Sequence, residues 1–412
     1  MERADQRLGR RPLRPGAATG PGLRHCMVVH SIYPLGETRV QREAQALAER
    51  GFEVDIICLR DRGEPRVERF AGATVYRLPV SRDKRRGLAG QLLEYLAFLL
   101  LAFAKLTALH LRRRYHVVQV HNLPDFLVFA ALVPKLSGSR VILDLHDLMP
   151  EFFSARFQPG RGSLPLRLVL LQERLACRFA DHVITVSEHW RQALIRRGVP
   201  AHKCSVLMNV ADTAIFRRQA RAERPAGAPF RLIYHGTITH RYGLDVLVRA
   251  VHLARRELPA IEASIIGAGE LVPELRRLID ELGLGAHVRL ADLVPAERLP
   301  ALIAAADLGV VPYRRDPFTD ELLPTKLMEY AAMGLPAIAS RTAAIAGCFD
   351  ETMVQFVAPG DAEELARCIV ALARDRARLA ALAAGIQQFN ARFSWTGQSA
   401  GYVRLVSALA GA

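Results

Sequence analysis

An α/β architecture of two doubly wound halves followed by a helical tail is expected of this sequence, on three grounds. From Leu23 short apolar runs alternate with longer helical patterns, and a second series of the same kind begins at Phe230. A stretch rich in arginine, alanine and proline separates the two series. At 412 residues, half of them hydrophobic, the chain is long enough to bury two cores.

The first two dozen residues carry Arg7, Arg10, Arg11, Arg14 and Arg24 among prolines and glycines and lack the apolar centre of a signal peptide. Residues 1–22 are therefore expected to be a disordered basic arm. Residues 23–212 make the first half, with strands expected at Arg24 to His30, Val54 to Leu59, Thr74 to Leu78, Val117 to Val120, Arg140 to Asp144 and His182 to Val186. Helices are expected at Val40 to Arg50 and Leu164 to Ala180. Residues 213–229 are a linker. The second half, 230–390, places strands at Arg231 to His235, Ile261 to Ile266, Val288 to Leu290, Leu308 to Pro312 and Ala337 to Ser340. From Ala362 the pattern is almost wholly helical with a break at Phe393 to Thr396, and 391–412 forms a terminal helix.

The most apolar stretch, Leu88 to Leu111, is interrupted by Glu94 and Lys105 and is short for a membrane span. Basic clusters flank it, Arg82, Lys84, Arg85 and Arg86 before and Arg112, Arg113 and Arg114 after. Two readings stand: an interfacial helix on an anionic membrane, or a buried domain helix with solvated ends. The net charge of +15 draws the chain to anions, whether lipid headgroups, phosphorylated substrates or nucleic acid. No stacking-aromatic or zinc motif supports nucleic acid. Six scattered cysteines with no Cys-x-x-Cys pair fit a reducing compartment and no zinc site.

In open parallel sheets ligands sit beyond the carboxyl ends of the strands, so the residues just after each strand carry the chemistry. Pro324, Thr325 and Lys326 open a helix, where free amides and the helix dipole favour an anion and Lys326 adds a full charge. This is a candidate diphosphate site. Glu321 and Glu329 flank it and suit hydroxyl-rich ligand parts such as a sugar and a ribose. An ordinary helix start with acidic neighbours explains the same spacing. Gly267 and Gly269, after the strand ending at Ile266, let a ligand come close to the backbone, though many such turns bind nothing. His121 and His146 each follow a strand, with Asp125 and Asp147 nearby, and are candidates for hydrogen bonding a sugar or for acid–base work. No Gly-x-Gly-x-x-Gly stands after the first strand, which argues against a nicotinamide dehydrogenase.

With these residues in view, the chain resembles the family 4 retaining glycosyltransferases of the GT-B fold from Leu23 to its end. The most specific match is Glu321, seven residues, Glu329, continued by Tyr330 to Pro336. Asn209 to Asp212 with Phe216, the segment Phe393, Ser394, Trp395, and His121 to Asp125 with Asp144 to Asp147 are similar to further family segments. The resemblance implies two facing Rossmann-like domains, the first on the acceptor side and the second binding the nucleotide sugar, with the last helix crossing back to the first. It implies catalytic roles for His146 and Glu321, ribose binding by Glu329 beside Gly267 and Gly269, and an acceptor side at Gly36, His121 and Asp125. Thr237 and Tyr242 stand where many members carry an Arg and a Lys on the diphosphate, so Arg241 with Lys326 is expected to replace that pair.

The activity implied by this resemblance is a metal-independent transfer, with retention, of a hexose-type sugar from a nucleotide diphosphate sugar, uridine by default, to a glycan or lipid-linked acceptor. No Asp-x-Asp pair of the manganese-holding kind occurs, and no cofactor is expected. The expected setting is polysaccharide or cell-envelope glycan assembly in the cytoplasm, peripheral on the inner face of the membrane through 88–111, with no nucleic-acid partner. The rivals are a sugar-nucleotide epimerase of the same fold and a non-catalytic member that binds nucleotide or glycan.

Overall fold

The strand β1 (Arg24–Ile32) is buried along almost its whole length, as a parallel strand covered on both faces must be. The computed structural model describes residues 22–34, 37–80, 88–157, 162–213, 215–218, 225 and 227–411. The basic arm, Gly36, the cluster Arg82 to Arg86 and parts of the linker fall outside these. The chain divides into two compact units, Met1–Asp144 with Phe179–Asp181 and Gly401–Ala412, and Leu145–Arg178 with His182–Ala400.

In the first unit β1 is followed by β2 (Glu53–Leu59), β3 (Val67–Phe70), β4 (Ala73–Leu78), β5 (Val117–His121) and β6 (Arg140–Leu145). They lie in the order β3-β4-β2-β1-β5-β6. All pair in parallel except β3, which runs antiparallel to β4. The sequence pattern misses β3, whose Glu68 and Arg69 lie at the sheet's edge and leave no apolar run.

A charged cluster lies inside this unit. Arg39, on the helix Thr38–Ala48, grips Asp144 with two hydrogen bonds of 3.0 and 2.8 Å and also meets Glu43 at 3.0 Å. Burial and the Asp144 charge push the Glu43 carboxyl well above its usual range. Gln119 donates to Glu43 at 2.7 Å and accepts from the Tyr402 hydroxyl at 2.6 Å. Tyr402 belongs to the helix Trp395–Ala410, so this hydrogen bond fixes the last part of the chain to β5.

The helix Leu88–Arg113 resolves the two readings of that stretch in an unforeseen way. Phe98, Ala102 and Leu106 are fully buried against the unit, while the leucines on the other side are exposed. Glu94 is on the buried side, 3.2 Å from His30, whose ring meets Tyr95 and Phe98 edge-on.

In the second unit β7 (His182–Thr185) pairs in parallel with β8 (Cys204–Val206). A separate six-stranded sheet holds β9 (Phe230–His235), β10 (Ile261–Ile266), β11 (Val288–Ala291), β12 (Leu308–Val311), β13 (Ala337–Ser340) and β14 (Gln355–Val357). Its order is β11-β10-β9-β12-β13-β14, every pair parallel. The direction of winding reverses between β9 and β12, which places a crevice at their carboxyl ends. β8 and β14 have three residues each, too few to show a period in sequence. The helical tail is broken at Asp375 as well as near Phe393, and Asp361 and Asp375 each cap the helix that comes after by accepting a backbone N–H.

Replacing Arg39 with alanine strands a buried carboxylate, and we expect a loss of about 3–5 kcal/mol in urea unfolding of the full chain. A loss below about 1 kcal/mol would show that Asp144 is not ionised in the fold.

Candidate functional site

At the switch point of the second unit lies a cavity of about 340 Å³. His146 and Asp147 line it from the segment after β6, His235, Gly236 and Thr237 from the end of β9, and Tyr313 from the end of β12. Asn209, Tyr242 and the segment Leu322–Lys326 with Met328 and Glu329 complete it. Backbone contacts hold these loops in place. Gly243 has φ +65°, and a Cβ there would stand 1.9 Å from the Pro312 carbonyl oxygen. Only glycine lets the two loops meet. The contact sets Tyr242 against Tyr313, with ring centres 4.5 Å apart and planes 19° apart.

Lys326 is the centre of the cavity's chemistry. It lies in the first turn of the helix Thr325–Met333, which begins after Pro324 and ends at Gly334 in the left-handed conformation. Its ammonium is buried, donates to the Tyr313 hydroxyl at 2.7 Å, and lies 4.8, 5.2 and 5.0 Å from the ring centres of Tyr234, Tyr242 and Tyr313. The ring faces are electron-rich and partly replace the lost hydration. Burial still brings its pKa down to about 8, with Glu329 opposing the shift. Because the Tyr313 oxygen accepts from lysine, its own O–H proton must be given elsewhere, and the cavity is the adjoining space.

The two carboxylates differ. Glu329, one turn along the same helix, meets the His235 Nε2 at 3.2 Å. Burial, reinforced by the Lys326 charge, lowers the His235 pKa to about 3, so this ring is neutral; it lies against the Glu329 carboxylate without a well-aligned hydrogen bond to it. It also meets Tyr330 edge-on at 5.4 Å. Glu321 is not among the residues lining the cavity; it lies 3.4 Å from His189 on the helix Glu188–Arg196. Asp147 is raised to about 6 by burial, with His146 pulling the other way.

Of the residues singled out in sequence, His146, Lys326 and Glu329 come together around the cavity. Arg241 is not in its lining: the guanidinium lies 3.9 Å from Asp316 and over the Phe318 ring. Gly267 and Gly269 make their close approaches to protein. A Cβ on either would meet the carbonyl oxygen of Gly236 at 1.8 Å or of Ile238 at 2.0 Å. His121 and Asp125 belong to the first unit and are fully buried, His121 Nδ1 at 3.1 Å from Asp144 and Asp125 accepting from Asn122 at 2.8 Å. Gly36 lies outside the described residues. Sequence alone assigns no role to His235, His189 or Tyr313. His235 and Tyr313 lie in the segments His235 to Gly243 and Pro312 to Glu329, at and just after the ends of β9 and β12, where the sequence places the crevice without giving either residue a role of its own.

Residues 36–210 match the family described as glycosyl transferase 4-like domain, and residues 229–375 match glycosyl transferases group 1. The chain belongs to the family 4 glycosyltransferases. Among its relatives, the D-inositol 3-phosphate glycosyltransferase of Thermobispora bispora is 28% identical over 379 residues, 87% of this chain and 86% of that one. A GDP-mannose-dependent alpha-(1-6)-phosphatidylinositol monomannoside mannosyltransferase of Mycobacterium tuberculosis is 29% identical over 279 residues, 65% of this chain and 70% of the relative. The amylovoran biosynthesis glycosyltransferase AmsK of Erwinia amylovora is 28% identical over 197 residues, 47% of this chain and about half (48%) of that protein's length. The sucrose-phosphate synthase of Thermosynechococcus elongatus superposes with a TM-score of 0.74 at 21% identity, over 94% of this chain and 99% of that one. The fold is GT-B, and the enzyme is a glycosyltransferase.

For this glycosyltransferase we expect nucleoside diphosphate affinity to be constant below about pH 7 and to fall above about 8, approaching tenfold per unit as Lys326 loses its proton. Calorimetric titration across pH 6–9.5 checks this, and a flat profile would mean that Lys326 does not meet the diphosphate. Replacing His235 with phenylalanine keeps a ring beside Glu329 but removes the polar nitrogen that faces it at 3.2 Å, and we expect the KM for donor to rise about tenfold with kcat less affected. Equal effects on both constants would place Glu329 in the reacting centre instead.

Proposed function

We propose that this enzyme transfers a hexose-type sugar, with retention and without a metal, from a nucleoside diphosphate sugar to a glycan or lipid-linked acceptor. The observation that carries the reading is the buried Lys326 ammonium, ringed by tyrosines at a helix start and opening on a cavity. A buried cation with so little counter-charge calls for an anion, and a diphosphate that gains charge as the sugar departs is the anion that a transfer reaction supplies.

Glu329, oriented by neutral His235, faces the ribose diol in this reading, and His146 with Asp147 lies toward the sugar. Glu321 keeps the role of donor-sugar contact, with His189 behind it. Arg241 would leave Asp316 to join Lys326 on the diphosphate. Developing charge on the leaving diphosphate is stabilised by Lys326, the Tyr313 O–H and the first amides of the helix Thr325–Met333. Removal of one such donor costs about 2.7–4 kcal/mol in other sites, so Lys326→Ala should lower kcat by two to three orders of magnitude. Retention would proceed by displacement on one face of the sugar, with the departing phosphate oxygen taking the acceptor's proton.

Uridine diphosphate is the default donor carrier, and guanosine diphosphate is the alternative because the mycobacterial relative is named for GDP-mannose. The named amylovoran relative supports a setting in cell-envelope polysaccharide assembly, on the cytoplasmic side where nucleotide sugars are made. Thermal unfolding with uridine, guanosine and adenosine diphosphates, each with and without a chelator, tests donor and metal together. One nucleotide at 100 times its dissociation constant should add about 2.7 kcal/mol of stability, with or without chelator. A shift abolished by chelator would remove the metal-free reading. Incubation with donor alone separates the epimerase, which would return an altered sugar.

A further inference from the structure

The helix Leu88–Arg113 buries Glu94 and exposes a run of leucines. Leu92, Leu93, Leu96, Leu100, Leu101 and Leu111 are exposed, Leu93 and Leu100 at 68% each. The other exposed residues from Ala89 to Leu111 are alanines: Ala89, Ala97, Ala104 and Ala108. The outward face from Leu92 to Leu111 thus runs for about 30 Å without a charge. In the second unit the helix Leu164–Phe179 shows a different kind of face. Leu164, Leu168, Leu171 and Leu175 are exposed at intervals of four, three and four residues, which is one stripe along a helix. Arg167, Arg174 and Arg178 are exposed beside it.

We propose that these two leucine faces are membrane-docking surfaces, each lying flat in the headgroup layer of an anionic bilayer. Three observations select a bilayer over another occupant. The Leu88–Arg113 helix is long and apolar enough to cross a membrane, contrary to the expectation from sequence, but one side of it is packed against the unit through Phe98, Ala102 and Leu106 and carries Glu94 on His30, which favours lying on a bilayer over spanning it. Its outer face offers only leucine and alanine, with none of the aromatic anchors and polar contacts that specify a protein partner. On the second helix, arginines interleaved with leucines complement lipid phosphates, whereas a symmetric pairing of two copies through this face would set those arginines against one another. The chain's net charge of +15 has the matching sign. This inference does not depend on the donor site.

The test is flotation of the full chain with vesicles of phosphatidylcholine alone and with about 30 mol % phosphatidylglycerol added, a surface that attracts arginine within a Debye length. Wild type should float with the anionic vesicles. The variants L93E/L100E and L168E/L175E should each lose about tenfold or more in binding, because they remove apolar insertion. R167E/R174E should lose binding to anionic vesicles only. Unchanged melting temperature and unchanged nucleotide-induced stabilisation confirm that the variants fold and keep the donor site. R167E/R174E replaces only exposed side chains and so preserves the test if a leucine variant does not fold. Absence of wild-type flotation, or variants that float as wild type does, would overturn the proposal. So would sedimentation showing a wild-type oligomer that the leucine variants dissociate without change in flotation.

Discussion

A lysine ammonium held out of water is the constraint around which the second unit is arranged. Lys326 could reach solvent on a surface helix, yet Gly236 and the loop ending at Gly243 close over it and Tyr234, Tyr242 and Tyr313 enclose it. A buried charge is costly, and the structure offsets only part of that cost with ring faces, one hydroxyl and the Glu329 charge. The incomplete offset is what brings its pKa down to about 8, and it leaves the site poised for an anion. The consequences spread outward. The same charge helps burial to keep His235 neutral, so His235 and Glu329, 3.2 Å apart, do not form an ion pair.

Glycines serve this arrangement by letting backbone meet backbone. Gly267 and Gly269 bring the turn after β10 against Gly236 and Ile238, and hydrogen bonds from Gly236 N to Ile266 O and from Ile238 N to Ala268 O lock the two turns together. Their role is thus one shell removed from a ligand: they set the course of the loop that carries Thr237 into the cavity. A glycine-rich turn after a strand reads identically in sequence whether the close neighbour is a phosphate or a carbonyl oxygen, because both require the same missing Cβ.

Most of the architecture was legible for a physical reason. Parallel strands covered on both faces are continuous apolar runs, and β1, β2, β5, β6, β9, β10 and β12 are such runs. Short or edge strands such as β3, β8 and β14 bury too little to leave a mark. In the site, Lys326 and Glu329 were legible because a helix start fixes what the first turn can do. His121 and His146 look alike in sequence, each close to the end of a strand. His121 is committed to Asp144 inside the first unit, and His146 lines the cavity of the second. The Asp144 that His121 meets is itself held by Arg39 across more than a hundred residues of sequence, and no local pattern contains that pairing. His235 and Tyr313 were legible only as members of the post-strand segments; their distances to Glu329 and Lys326 are what give each a role.

The helix Leu88–Arg113 shows why mean hydropathy could not choose between a core helix and an interfacial one. Both are apolar overall, and the discriminating fact is which side holds the charge. In a core helix at a protein surface, a lone carboxylate such as Glu94 belongs on the wet side, because ionised groups lose hydration when buried. Here it is on the dry side with a histidine partner, and leucine occupies the wet side. Such an inversion exposes apolar surface to water and buries a pair that must be closely matched, two costs that a fold in water alone gives no reason to bear. Placing the outer face against hydrocarbon removes the first cost, and His30 with its edge-on contacts to Tyr95 and Phe98 limits the second. The orientation of a single glutamate thus carries more information about the helix's surroundings than the composition of its remaining residues.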